Sequence, residues 1–183
     1  MGWRGRSAAF LLMLLTAWAV IEAYGLNAPE TRSADGRSIV VRDGDTLRIG
    51  DTDVRLDGID APEYAQICKD GTGKDWPCGR IARTALAGLV AGHIITCEAR
   101  ARDEYSRIVA ICRDERGNDL AAAMAAQGLA ISPGWFGDGP YGGEANAAKS
   151  ARRGIWAGRF DLPADWRASH PRSAAPPLPR PPD

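Results

Sequence analysis

The chain has two histidines in 183 residues, His93 and His170, and they stand far apart. That scarcity argues against a histidine-ligated metal centre, which needs imidazoles in company, and leaves few candidates for a histidine nucleophile or the base of a serine–histidine triad. Net charge is missing too. Lys plus Arg total 23 and Asp plus Glu total 23. Residues 38–160 alone hold 16 basic and 17 acidic residues, a balance of −1. A chain that holds a polyanion by bulk charge is usually basic, so any polyanion here has to be met locally, by placed arginines or a bound metal. The four cysteines contain no C-x-x-C spacing, which leaves a zinc ribbon without its ligands. No internal repeat is present. No apolar run is long: residues 8–21 carry no charge, but fourteen residues is short for a membrane span and Glu22 interrupts the extension.

What is present begins with an N-terminus of export type, "MGWRGRSAAFLLMLLTAWAVIEAYG". Two arginines precede the apolar run, and Ala17-Trp18-Ala19 offers a small-residue cleavage site. A cleaved signal is the first reading. A retained anchor, attaching the chain to a membrane through residues 8–24, is the second, and an N-terminal core helix is the third. The first two both export the rest of the chain, to the periplasm or the medium. The cysteines agree with an oxidising compartment. Residues 93–100 and 107–113 read as two strands joined by "RDEYS", and a turn near 104–105 sets Cys97 opposite Cys112. Cys68 and Cys78 then bracket the polar loop "CKDGTGKDWPC". The expected disulfides are 68–78 and 97–112.

The organisation expected is a signal or anchor over 1–23, a linker over 24–37, a folded domain over 38–160, and an extension over 161–183 that ends in a Pro-rich, disordered tail from Pro171. Short strands are expected at 38–42, 45–49 and 53–59, with "GDTD" as turn chemistry. Leu47, Ile49, Val54 and Leu56 take the core-facing parity, and Arg55 the opposite one. Residues 79–91 read as a helix with a stripe of Ile81, Ala85, Leu86, Leu89 and Val90. Asn118 is a good N-cap for "DLAAAMAAQ" and Gly128 a good stop, while a last helix runs over 142–153. Five short strands with interposed helices indicate a mainly β, α+β domain. The five-stranded oligonucleotide-binding (OB-fold) barrel with about three helices fits best.

The acidic residues are concentrated. "VRDGDT" holds Asp43 and Asp45, and "VRLDGIDAPEYAQ" holds Asp57, Asp60 and Glu63. Carboxylates resist sharing a site unless a cation compensates them, and an oxygen-only donor set suits a hard cation. With histidine scarce, carboxylates must carry acid–base and metal work, and arginines the anion binding. Asp45, Asp60 and Glu63 are the candidates for the first task. Arg55 and Arg107 are the candidates for the second, because guanidinium matches phosphate in a two-pronged fork and stays charged. Each also has a plain alternative: turn residues for Asp43 and Asp45, a solvated loop acid for Glu63, and surface ion pairs for the arginines.

Taken in order, "VRDGDTLRI", "VRLDGIDAPE", the helix after Cys78, "DEYSRIVA", "NDLAAAMAAQGLA" and "YGGEANAAKSARRGIW" resemble the thermonuclease (staphylococcal nuclease-like) family from about Val40 to Trp156. The resemblance implies a Ca²⁺-dependent phosphodiesterase acting as an endonuclease on DNA and RNA, with single strands preferred. It implies cleavage of the 5′ P–O bond to leave 3′-phosphate ends. Position by position, Asp45 and Asp60 match the calcium-binding aspartates, and Ala61 stands where a threonine often lends its carbonyl. Glu63 matches the residue that orients or deprotonates water. Arg55 and Arg107 match the two phosphate-holding arginines. Tyr105 fits the pattern as a substrate-side residue, and Asp43 as a supporting acid. No protein partner is implied, and a monomer is expected.

Two departures concern the groove. The family's nucleotide-packing tyrosines align with Gly134 and Phe136, which leaves Trp135, Phe136 or Tyr141 as candidate aromatic platforms. The 45–55 hairpin is short, and the Cys68–Cys78 loop is an insertion. Two other readings stand beside the enzyme: a catalytically silent barrel that captures nucleic acid or serves envelope assembly, and a calcium-stabilised envelope protein. Retention of all five key side chains argues against the silent one.

Overall fold

The computed structural model describes residues 10–16, 30–134 and 139–171. It divides into two units, Met1–Glu30 and Thr31–Asp183. In the first, residues 10–16 are helical; among the described residues no helix is long and apolar enough to cross a membrane. The rest of the segment read as signal or anchor lies outside the described residues, as do Trp135, Phe136 and the tail beyond Pro171.

In the second unit a nearly closed, barrel-like sheet of six strands runs in the order β1-β7-β8-β4-β3-β2. Its strands are β1 (Thr31–Asp35), β2 (Ile39–Val41), β3 (Thr46–Ile49), β4 (Thr52–Leu56), β7 (Ile94–Arg102) and β8 (Ile108–Arg113). All pairings are antiparallel except β4 with β8. The five strands read from the sequence are all present, and the fold is the mainly β, OB-like one expected. The sixth strand, β1, lies in the stretch read as linker. Ala34 is its one apolar residue and packs against the core, and the strand gains its place by pairing along the edge of β7 from Thr31↔Glu98 to Asp35↔Ile94. Period-2 hydrophobicity cannot reveal such a strand.

β3 and β4 are joined by two residues, with Gly50 at φ 58°, a conformation glycine adopts without a Cβ penalty. Leu47, Val54 and Leu56 are buried as their parity required, alongside Leu86, Ile95, Ile108 and Met124. Helix α1 (Cys78–Val90) buries Cys78, Gly79, Ala82, Leu86 and Val90. The stripe is thus an i, i+4 row through 82, 86 and 90, and Ile81 lies off it, 44% exposed. Helix α2 (Leu120–Ala126) is capped by Asp119, whose carboxylate accepts from the amides of Ala121 and Ala122. Asn118 does not cap it as expected, because its amide and side chain both donate to Asp114 in the preceding turn. Helix α3 (Gly142–Ser150) stops three residues earlier than read.

Both disulfides form as expected, Cys68–Cys78 and Cys97–Cys112, the second in direct register across β7 and β8. The first closes a loop containing a two-stranded ribbon, β5 (Cys68–Lys69) and β6 (Asp75–Trp76). With Ile155 it forms a second small core, flanked by Trp76, Trp156 and Phe160. That core anchors the chain for one more helix, α4 (Pro163–Ser169), with Pro163 at its start and buried. The helix lies in the stretch read as an extension. Proline at a first helical position is its sequence signature.

Candidate active site

Strand pairing builds the site. Arg55 sits opposite Thr46 in the β3–β4 ladder and beside Val109 in the parallel β4–β8 pair. Its neighbours Val54 and Leu56 point into the core, so Arg55 leaves on the other face. Arg107 has the parity of Val109 and emerges on that same face. The chain then leaves β4 through Asp57 to Asp60, where the Asp60 amide and carbonyl both bond Ile131, at 2.9 Å each.

One guanidinium joins the two aspartates. Arg55 donates from Nη1 to Asp45 Oδ1 at 3.0 Å and from Nη2 to Asp60 Oδ1 at 2.7 Å. Asp45 is further fixed by the Thr46 hydroxyl at 2.9 Å and the Ala61 amide at 3.0 Å. Its own amide donates to Asp43 Oδ1 at 3.1 Å. Asp45 is 3% exposed and Asp60 7%. Burial pushes the Asp45 carboxyl up to about 7 against the pull of Arg55, with Asp43 and Asp60 adding to the rise. Burial works against the charge of Arg55, but Asp45 and Asp60 outweigh it and its pKa rises.

Glu63 follows in a tight turn, its carbonyl accepting from the Gln66 amide at 2.8 Å. The Gln66 side chain is fully buried. Its Oε1 accepts from the Glu63 amide at 3.1 Å, and its Nε2 donates to the Asp161 carbonyl at 2.8 Å. Arg107 sits at the β7–β8 hairpin, where Asp103 gathers the turn. That carboxylate accepts from the amides of Tyr105 and Arg107, and from Arg107 Nε at 2.7 Å. These bonds to Arg107 overcome burial and hold the Asp103 carboxyl low. Tyr105 is exposed, with the Arg107 guanidinium 5.5 Å from its ring centre.

Arg55, Glu63, Arg107, Asp43 and Tyr105 line one cavity of about 670 Å³. The carboxylates Asp45 and Asp60 lie behind Arg55. The predicted residues therefore converge, with Arg107 paired to Asp103 and not to the Asp45–Asp60 pair. Tyr141 is not a platform in this cavity. Its hydroxyl donates to Asp119 Oδ2 at 3.0 Å and its ring packs on the core, so burial and Asp119 raise its pKa.

The sequence reading missed the contribution of α4. Trp166, Arg167 and His170 line the same cavity. Arg167 Nη1 bridges Asp60 Oδ1 at 2.9 Å and Glu63 Oε1 at 3.0 Å, and Nη2 reaches Asp60 Oδ2 at 3.2 Å. Trp166 and His170 stack, 4.2 Å between ring centres. The motif "PADWRAS" held the signal, a proline-started helix with an arginine on it.

Asp45 and Asp60 are buried carboxylates whose oxygens converge on one shared guanidinium, and all donors are hard oxygens. They fit a hard divalent ion completed by a carbonyl and water. Among the described residues there is no three-member cluster of His, Cys, Asp or Glu arranged for a metal, so the two aspartates would need other oxygen donors beside them.

Residues 53–158 match the family model described as staphylococcal nuclease homologue. Among similar proteins, succinoglycan biosynthesis protein ExoI of Rhizobium meliloti (strain 1021) is 37% identical over 122 residues, 66% of this chain and 63% of that one. The probable endonuclease LCL3 of Schizophyllum commune (strain H4-8 / FGSC 9210) is 32% identical over 142 residues, 66% of this chain and 46% of that one. A protein of Escherichia coli named "Uncharacterized endonuclease" is 28% identical over 158 residues, 84% of this chain and 91% of that one. The chain thus spans less than two thirds of the length of the first two.

Proposed function

The chain belongs to the staphylococcal nuclease homologue family, and on that premise we propose that it is an exported, Ca²⁺-dependent endonuclease that hydrolyses phosphodiester bonds of DNA and RNA, preferring single strands. The observation that carries the reading is the convergence of Arg55, Glu63 and Arg107 on one cavity, with the buried pair Asp45 and Asp60 behind.

In this reading Asp45, Asp60 and the Ala61 carbonyl would hold the cation. When bound, it supplies Lewis-acid polarisation of a phosphate oxygen. Glu63 accepts the proton of a water in line with the scissile bond. The water oxygen bonds to phosphorus, the bond to the 5′ oxygen breaks, and that oxygen leaves as a 5′ hydroxyl on taking up a proton from solvent, so that a 3′-phosphate remains. Arg55 and Arg107 donate to the phosphate oxygens as charge builds, where fixed donors in a water-poor cleft are most effective. The cavity is lined by more acids than arginines, so in this reading the bound cation together with Arg55 and Arg107 supplies the local positive potential that a near-neutral chain does not provide by bulk charge.

The test is hydrolysis of single-stranded DNA by the oxidised chain with Ca²⁺, with Mg²⁺ and with chelator, beside Glu63→Gln. Calcium-dependent cleavage that falls by about 10²-fold or more in the variant supports the reading. Wild-type turnover in Glu63→Gln overturns the role of Glu63. A folded chain that cleaves nothing favours a silent OB-fold module of nucleic-acid capture or of the cell envelope. The relative named for succinoglycan biosynthesis is the observation on that side.

A further inference from the structure

Asp60 has four lone-pair positions as a carboxylate, and three are taken. Oδ1 accepts from Arg55 and from Arg167, and Oδ2 accepts from Arg167. Arg167 also holds Glu63 through the same Nη1. A single guanidinium from the C-terminal helix thus pairs with both acids that the nuclease reading assigns to cation binding and to water activation. Arg55 differs in its setting. It comes from the barrel itself, lies on a sheet face, and has a side chain only 19% exposed, against 38% for Arg167.

The segment that carries α4 is tethered at other points as well. Pro163 is buried, Gln66 Nε2 bonds the Asp161 carbonyl, and Lys69 and Arg159 exchange backbone bonds. Arginine has a long, rotatable stem, and the half-exposed position gives its head a path into water. Charge-assisted bonds to Asp60 and Glu63 hold it in, and they raise its pKa despite partial burial. An incoming divalent ion needs some of the same Asp60 oxygens, so the two cations cannot both have them.

We infer that Arg167 is a resident cation of the site: it occupies Asp60 and Glu63 until a divalent ion displaces it, and so sets the affinity and the threshold concentration at which that ion binds. The inference rests on the reading that Asp60 holds the cation. The occupant of Asp60 is exchanged, and the acids never stand uncompensated. Because binding is an exchange, deleting the guanidinium favours the metal, while a lysine, which offers a point charge in place of a two-pronged fork, competes less well.

The experiment is isothermal titration of the full, oxidised chain with Ca²⁺, repeated with Tb³⁺ whose luminescence Trp166 is placed to sensitise. Wild type, Arg167→Lys, Arg167→Ala and Asp60→Asn are compared, with no substrate present. Arg167→Ala is expected to bind the ion tighter by roughly 5- to 100-fold, the usual span of coupling between two sites. Arg167→Lys should fall between it and wild type, and Asp60→Asn should lose the tight phase. Binding by Arg167→Ala equal to or weaker than wild type overturns the inference and leaves the nuclease reading standing. If no variant binds either ion, the cation assignment falls together with the inference. Tightening in Arg167→Ala by a chain that hydrolyses nothing supports the inference and overturns the nuclease reading. Circular dichroism of Arg167→Ala with an unchanged melting midpoint shows that the change is not one of fold.

Discussion

The backbone of Glu63 lies directly against Gly79 in the first turn of α1, so closely that a Cβ at position 79 would overlap the Glu63 carbonyl. The site's proposed base is therefore seated on a helix that has no side chain at the point of contact. Helix propensity alone favours Gly79→Ala by about 1 kcal/mol, yet overlap with backbone atoms costs about 1–3 kcal/mol and should win. The variant is expected to be less stable and to turn over more slowly as Glu63 shifts. Gly88→Ala in the same helix meets nothing within 4 Å and should gain up to about 1 kcal/mol. Denaturant unfolding of the two variants checks both signs, and equal effects at 79 and 88 would show that the contact is unimportant.

Gln66 links the Glu63 turn to the segment that carries α4. The Gln66 side chain is buried and its two bonds are partly so, so Gln66→Leu removes the partners of the Glu63 amide and the Asp161 carbonyl together. Each stranded partner costs about 1–3 kcal/mol. Gln66→Glu keeps an acceptor for Glu63 but loses the donor to Asp161, and should be intermediate near neutral pH. Urea midpoints rank the three proteins. A Gln66→Leu chain as stable as wild type would mean that water replaces both bonds.

Much of this architecture was legible because its signals are local. The parity of Leu47, Val54 and Leu56 named the buried face and, by exclusion, the face of Arg55. The spacing about "RDEYS" set Cys97 against Cys112. The ordered motifs named Asp45, Asp60, Glu63 and Arg107 before any geometry was known. What escaped depends on tertiary pairing. β1 has Ala34 as its one apolar residue and becomes a strand only because β7 offers it an edge. Asn118 is as good a cap as Asp119 in isolation, and the bonds to Asp114 decide between them. Arg167 lies 104 residues from Glu63 in sequence, and the small core around Cys68, Cys78 and Ile155, with the Gln66 bond to Asp161, brings the two together. No periodicity reports such a contact.

The two disulfides should act on different parts of the molecule. Cys97 and Cys112 are 15 residues apart across one hairpin, and a loop of that size is worth about 3 kcal/mol through the unfolded chain. Replacing both by alanine should lower the melting midpoint and leave activity per folded molecule intact. Cys68 and Cys78 close the loop whose Lys69 bonds Arg159 ahead of α4. Replacing that pair should also raise hydrogen exchange across residues 163–169 and loosen Arg167 from the site. Exchange in α4 that is the same in both double variants would contradict this division.

Asp45 gives the chain a pH dependence with an unusual sign for a carboxylate. Its pKa is about 7 in the folded state and near 3.8 when unfolded. Between those values the folded chain binds the extra proton, so stability falls as pH rises. The contribution is complete below about 3.8 and is lost as pH passes through about 7. Paired carboxylates such as Asp53, held low first by its bond to Arg48, act in the opposite sense at lower pH, so the raw profile mixes both. Asp45→Asn removes the one term. In chelator, the stability of wild type minus that of Asp45→Asn should decline steadily as pH is raised across this window. A difference that stays flat or climbs would mean that Arg55 keeps Asp45 ionised throughout, with its charge already compensated before any divalent ion arrives.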